Sequence, residues 1–394
     1  MSSPSPVSHP TGYARAIALA LAAVVLVSVV LLAFAWPSIT ADPKGIPIGV
    51  VGNDEQVAQI EKTLEAQSDG VFALQRRDDR EAAIDAIQRR EEYGAIVLGD
   101  PEAADPSKGA PEVLTATAAN ASVAQMLQSL ATGLQTRLNA QVDAKVEQQV
   151  QSLLATLKAL SAGQRPPGGG ETPAAPDSFT MPSVTVTVTD AVPFAERDPR
   201  GAGLASATLP LVMGGMLGAI LISTAVHGSR RRLVALLVYG VAGGLALAGI
   251  LQVWFGALQG DYWLNAAAVG LSIVAISSTL VGLRSLIGMP GLGAGAALMF
   301  LFANPISSAQ TPMEFLLRPW GAVGQWFPPG AGANLVRTLS YFPEAPTAFP
   351  WLVLGGWAVL GIVLIGLAAL RRPQPGDDPG EVEGAASRTP VPAV

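Results

Sequence analysis

The feature that most constrains this chain is a series of long apolar runs. A hydrocarbon core of about 30 Å is crossed by about 20 apolar residues in a helix. Runs at 17–35, 204–226, 233–255, 264–285 and 351–370 meet that length. A sixth, 289–305, is shorter and glycine-rich, and it spans if neighbouring helices close over its small residues. Composition agrees: 50% of the 394 residues are hydrophobic and 14% are charged, against about 25% charged in a soluble domain. A cytosolic enzyme is thereby excluded. The charges that remain are gathered mainly at 53–100, while 201–310 holds very few.

These runs predict a polytopic α-helical membrane protein of about six transmembrane helices, with an extracytoplasmic α/β domain between the first and second spans. The first run is longer than the apolar core of a signal peptide, about 7–15 residues, and is read as an uncleaved anchor. Arg230, Arg231 and Arg232 separate the second and third runs, Arg284 ends the fourth, and Arg371 with Arg372 ends the last. Basic residues in short loops mark the cytoplasmic side. The chain then divides into a cytoplasmic N-terminus at 1–16, a span at 17–36 and an outer domain at 37–203. Spans at 204–306 follow, then outer re-entrant or interfacial helices at 307–349, a last span at 350–370 and a disordered cytoplasmic tail at 371–394. Both termini are expected inside a bacterial plasma membrane.

Within 37–203 the pattern changes from lipid-like to alternating. Short apolar runs at 46–51, 71–74, 95–98 and 113–117 predict strands, with helical periodicity at 56–67 and 79–90 between them. That order implies a parallel or mixed sheet. From about 119 to 160, Val123, Leu127, Leu130, Leu134, Leu138, Val142, Val146, Val150, Leu153, Leu157 and Leu160 recur at steps of three and four. One apolar stripe thus follows a helix of roughly 40 residues. Its partner is either the sheet or a second copy of itself; in the second case Leu127, Leu134 and Val142 form a dimer seam. A Pro/Gly linker fills 163–176, and Val–Thr alternation at 184–189 predicts a further strand.

The chemistry that is missing also instructs. No glycine-rich loop ends in Lys-Ser or Lys-Thr to hold phosphates. Gly168-Gly169-Gly170 falls in the linker, and the glycines at 291–295 fall in an apolar run. The sequence has no cysteine, and His9 and His227 are too few and too distant for a zinc site. No catalytic residue, cofactor or metal is expected, and the net charge of −6 speaks against nucleic acid as a partner. None of the apolar cores carries an Asp or Glu of the kind proton-driven transporters use. Ser223, Thr224, Asn265, Ser277, Ser278, Thr279 and Asn304 are polar groups suited to interhelical hydrogen bonds. Residues 312–327 predict a short amphipathic helix with Phe315, Leu316, Trp320 and Trp326 toward lipid, broken at Pro328-Pro329-Gly330 and restarting at Leu335.

Several segments carry a likeness to a known family. They are Ile46-Pro47-Ile48-Gly49-Val50-Val51-Gly52-Asn53-Asp54, Glu92-Tyr93-Gly94-Ala95-Ile96-Val97-Leu98, Asp190-Ala191-Val192-Pro193-Phe194, Asp198-Pro199-Arg200-Gly201-Ala202-Gly203 and the Pro-Pro-Gly stretch at 320–335. Together with one span, an outer domain and clustered later spans, the chain resembles the ABC-2 type transporter permease superfamily, in its YhgE/Pip-like branch of actinobacterial type. The resemblance implies a homodimeric exporter subunit driven by a separate ATP-binding subunit. It departs from that pattern at 227–232 and 286–288, which are too short for the cytoplasmic amphipathic segment an ATPase usually grips. Arg230, Arg231, Arg232 and Arg284 are the candidate docking or topology residues. The branch also includes secretion-associated proteins, so a non-transporting scaffold acting through the outer domain is the alternative.

Overall fold

The structure is a computed structural model that describes residues 13–68, 70–99, 111–161 and 185–370. The expected linker at 163–176, the tail at 371–394 and most of the N-terminal segment lie outside the described residues.

The chain opens with α1 (Tyr13–Ile39). It then builds β1 (Ile46–Val51), α2 (Asp54–Ser68), β2 (Phe72–Arg76), α3 (Arg80–Gln88), β3 (Gly94–Val97) and β4 (Glu112–Thr115). The long helix α4 (Ala121–Ser161) and strand β5 (Thr187–Asp190) complete the sheet region. The five strands lie in the order β2-β1-β3-β4-β5, antiparallel only between β3 and β4. Ile46, Ile48, Val50, Ala95 and Ile96 are almost fully buried, as expected where helices cover a parallel sheet.

Two of the family-like segments meet in this sheet. Gly49 pairs with Ala95, and the Tyr93 N–H donates to the Pro47 carbonyl. A Cβ at Gly49 would lie 2.4 Å from Glu92 Oε2, so glycine there makes room for a buried carboxylate.

The membrane-type helices are α5 (Ala202–Ala225), α6 (Ser229–Ala248), α7 (Tyr262–Ile287), α8 (Met289–Ala296) and α11 (Ala348–Leu370). Between α8 and α11 lie α9 (Trp320–Gly324) and α10 (Pro328–Tyr341). Helices α6 and α8 each end in a π-helical stretch, Gly249–Trp254 and Ala297–Ala303. Five helices are long and apolar enough to cross a membrane; α8 with its π extension, Met289–Ala303, is shorter than the other five.

Helix α7 is the centre of this bundle. Its apolar window is 78% buried, against 22–28% for α5, α6 and α11 and 0% for α1. Small residues permit that burial. A Cβ at Gly244 would meet the Ala266 carbonyl at 2.4 Å, and one at Gly361 would meet the Ser278 backbone at 2.3 Å. Ser278 and Thr279 donate across to carbonyls of Ala358 and Trp357 in α11, whereas Ser277 bonds back within α7.

Two expectations need correction. Pro328 and Pro329 do not break a helix; they occupy the first turn of α10, where a missing N–H costs nothing. The predicted amphipathic helix at 312–327 is instead a 3-10 turn, Met313–Phe315, followed by the short α9, and Leu316 is buried at 8% exposure instead of facing lipid.

Candidate functional site

The bundle has two ends of different character. One carries the α5–α6 and α7–α8 turns, where the sequence places its arginines. Arg230 and Arg231 are exposed there and line an apolar groove with Leu221, Val234 and Val238. Arg232 has another role. Its guanidinium donates to the carbonyls of Val226 and Ser223 and to Ser285 Oγ, tying the end of α5 and the start of α6 to the end of α7. These carbonyls are the orphan acceptors every helix leaves at its C-terminus. Arg284 reaches the Met289 sulfur at the α7–α8 turn. The candidate set therefore divides into two outward cations and two local fasteners.

The other end meets the sheet. Arg90, just past α3, donates Nη1 to Asn334 Oδ1 and to Thr338 Oγ1 of α10, both at 2.6 Å. Its guanidinium lies 5.3 Å from the Phe342 ring centroid, a cation–π distance. Arg337 of α10 points the other way along the junction, donating to the carbonyls of Ala119 and Ala309. The Tyr93 hydroxyl donates to Glu314 at 2.9 Å, and Asn120 Nδ2 to the Gln310 carbonyl. Asn120 also caps α4 by accepting from the Ser122 and Val123 N–H groups. Burial pushes the Arg90 and Arg337 pKa values down, and like-charge repulsion from Arg90 lowers that of Arg337 further. Arginine keeps its proton regardless, so the cost remains in the folded state. Burial and the neighbouring Glu314 push the Tyr93 phenol far up, which keeps it a hydrogen-bond donor.

The third family-like region holds the same end together. Asp198 accepts from the Ala202 and Gly203 N–H groups and so caps α5. Phe194 packs edge-on to Tyr341 of α10, whose hydroxyl donates to the Ala257 carbonyl.

Sequence reasoning missed this junction. Arg90 and Arg337 are far apart in the chain and belong to no motif. One signal was available: Arg337 is the single charged residue of α10, among small and apolar neighbours. Such a residue on a largely buried helix needs partners.

The proposed seam residues separate along α4. Leu127 is fully buried against the chain's own sheet with Val123 and Ala131, so it is not available to a second copy. Leu134 packs partly against that same core, and Val142 lies beyond it, half-buried. Further along, Val150, Leu153 and Leu154 are 38%, 54% and 54% exposed. The stripe thus packs on the sheet core in its first half, while Val150, Leu153 and Leu154 stand exposed in its second.

Among the described residues no group of His, Asp or Glu is placed to hold a metal ion. The fold and its apolar helices define the class: a multi-pass helical membrane protein with a small mixed α/β sheet. Comparison with protein-family models, curated proteins and solved structures finds no match to the chain.

Proposed function

We propose that the chain is the membrane permease subunit of an ABC-2 type exporter of the YhgE/Pip-like branch, moving a substrate outward with energy from a separate ATP-binding subunit. In this reading the arginine end faces the cytoplasm of a bacterial plasma membrane, the sheet lies outside and the working unit is a homodimer. The observation that carries it is the mechanical line through α7. At one end α7 is tied to the arginine turns through Ser285 and Arg232. At the other, Asn265 of α7 accepts from Ser340 of α10, and α10 holds Arg90 of the sheet region. In this reading a force applied at the exposed Arg230 and Arg231 reaches the sheet region through these contacts.

The chain carries no phosphate-binding loop and no carboxylate inside its apolar runs. Export therefore calls for an external source of energy. Affinity purification of the native complex, followed by reconstitution, tests this. Retention of an ATP-binding subunit, lost in the Arg230→Gln/Arg231→Gln pair with topology unchanged, is the expected result. Proton-driven substrate movement by the chain alone overturns it.

The second reading, a scaffold of a secretion or envelope complex, is favoured by the exposed apolar side chains Val150, Leu153 and Leu154 in the second half of α4. Recovery of envelope components bound there, without any ATPase, would select it.

A further inference from the structure

The junction between the sheet and α10 holds more positive charge than its own side chains neutralise. The partners of Arg90 and Arg337 are carbonyl, amide and hydroxyl oxygens, which satisfy N–H groups but carry no net charge. Neither guanidinium forms an ion pair among the described residues. Glu314 offsets Arg90 in part, but it already accepts the Tyr93 hydroxyl. Arg337 Nε and Ser308 Oγ are buried with no hydrogen-bond partner. A buried charge without a counter-charge is costly.

These groups share a cavity. Arg90, Tyr93, Asn120, Ser308, Asn334 and Arg337 line a space of about 40 Å³. That holds on the order of three waters, or one small oxyanion in their place. Backbone strain gathers at the same spot. Among the described residues, the two non-glycine residues in the left-handed region are Arg90 at φ 60 and Ser308 at φ 53, and both line this cavity. Such conformations are strained for residues that carry a side chain and persist where the surrounding structure holds them.

The cavity has an apolar neighbour. A cleft of about 390 Å³, walled by Phe34 of α1, Leu209 of α5, and Phe315 and Leu316, shares Ser308, Ala309 and Thr311 with it. Phe34 lies near the end of the apolar window Ala20–Pro37 of α1, so the cleft sits beside the end of that window.

We propose that the cavity binds the oxyanion head of an amphiphile, a phosphate or carboxylate group, whose apolar part lies in the cleft between α1 and α5. Planar guanidinium groups match such oxyanions in geometry as well as charge. The Ser308 hydroxyl, which has no partner of its own, is free to donate to the head beside Arg337 Nε, while the Tyr93 hydroxyl stays bonded to Glu314 at the edge of the cavity. This goes beyond the export reading and does not rest on it, since binding needs neither ATP nor a partner.

The test uses the full chain in nanodiscs of zwitterionic phosphatidylcholine. Inorganic phosphate, short-chain phosphatidylglycerol and short-chain phosphatidylcholine are titrated against its melting temperature. The anionic lipid is expected to stabilise the protein with an affinity about tenfold or more above that of phosphate, and the zwitterionic lipid to do nothing. Arg337→Gln should lower the lipid affinity by about tenfold or more, and Arg337→Lys by less, because lysine keeps the charge but loses the fork. Leu209→Trp narrows the cleft without touching a charge. It should erase the advantage of the lipid over phosphate while leaving phosphate binding intact, and it keeps the test decisive if Arg337→Gln fails to fold. Equal affinity for phosphate and lipid overturns the amphiphile assignment. Equal shifts from both lipids, or wild-type binding by the Arg337 variants, overturn the site.

Discussion

Each end of the helical bundle carries arginines, and the two sets do opposite things. At the α5–α6 turn, Arg230 and Arg231 stand in the open, and Arg232 spends its donors on helix-terminal carbonyls. At the junction with the sheet, Arg90 and Arg337 are enclosed and hold two parts of the molecule together. The contrast teaches that adjacency in sequence and adjacency in space carry different information. Three consecutive arginines report on topology; two distant ones, brought to the lining of one cavity, report on a structural need.

The largest effect should come from Arg90→Gln. It removes two short charged hydrogen bonds and a cation–π contact, a loss of roughly 2–3 kcal/mol. A melting temperature several degrees lower, with faster proteolysis between the sheet region and α5, is the expected outcome. A change within the noise of the measurement would erase the difference between the two ends.

Arg232→Gln should cost less, about 1 kcal/mol, because the carbonyls it leaves lie where water can replace it. Thermal denaturation of the purified protein reads this directly. An effect as large as that of Arg90→Gln would show that the two ends are fastened alike.

Ion pairs inside the sheet region give a reference for charges that do have partners. The Arg80 guanidinium and the Thr189 hydroxyl hold the Glu112 carboxyl below its ordinary range. A depressed carboxylate lends stability that is full above its unfolded value and is lost as pH falls through its folded one. Glu92 behaves in reverse. Its burial outweighs the bond from Arg77 and raises its pKa, so acidification through that raised value favours the fold. With Arg80 46% exposed, solvent screening holds the Glu112 contribution to about 1 kcal/mol or less. Comparing Glu112→Gln with Glu92→Gln in melts taken as the pH is lowered should give acid dependences altered in opposite senses. Two parallel curves would refute the assignment.

The smallest effect is expected from the Arg230→Gln/Arg231→Gln pair, within about 0.5 kcal/mol of wild type. A cysteine placed at Ser229 in that background then reports by thiol labelling whether the turn has kept its side of the membrane.

Much of this architecture was legible in the residues. Apolar length located the spans, short apolar runs located β1 and β3, and Val–Thr alternation located β5, because these signals are local. What stayed hidden depended on three-dimensional context. The stripe on α4 has one period from end to end, yet only Val123 through Leu138 finds the sheet beneath it. No residue-level signal marks where a partner stops. Pro328-Pro329-Gly330 was ambiguous in kind, since proline ends one helix or begins the next with equal ease. The junction was least legible, because the only sign of it was one arginine in an apolar helix.

Helix α7 has a mean hydropathy of 2.0, close to the 2.2 of α6, and yet it is 78% hidden from its surroundings. Two helices that look alike on a hydropathy scale therefore answer to different rules of substitution. On the outer faces of α6 and α11, a larger apolar side chain is nearly neutral and a charged one is expelled. On α7 the penalty follows volume: Ser272, Ser277 and Thr279 are tolerated because each hydroxyl bonds a carbonyl of its own helix, while a methyl group added at Gly270 or Gly282 would press on a neighbouring backbone at 2.7 Å. Across a library of variants, α7 should read as a helix intolerant of size and indifferent to mild polarity, the reverse of the helices that surround it.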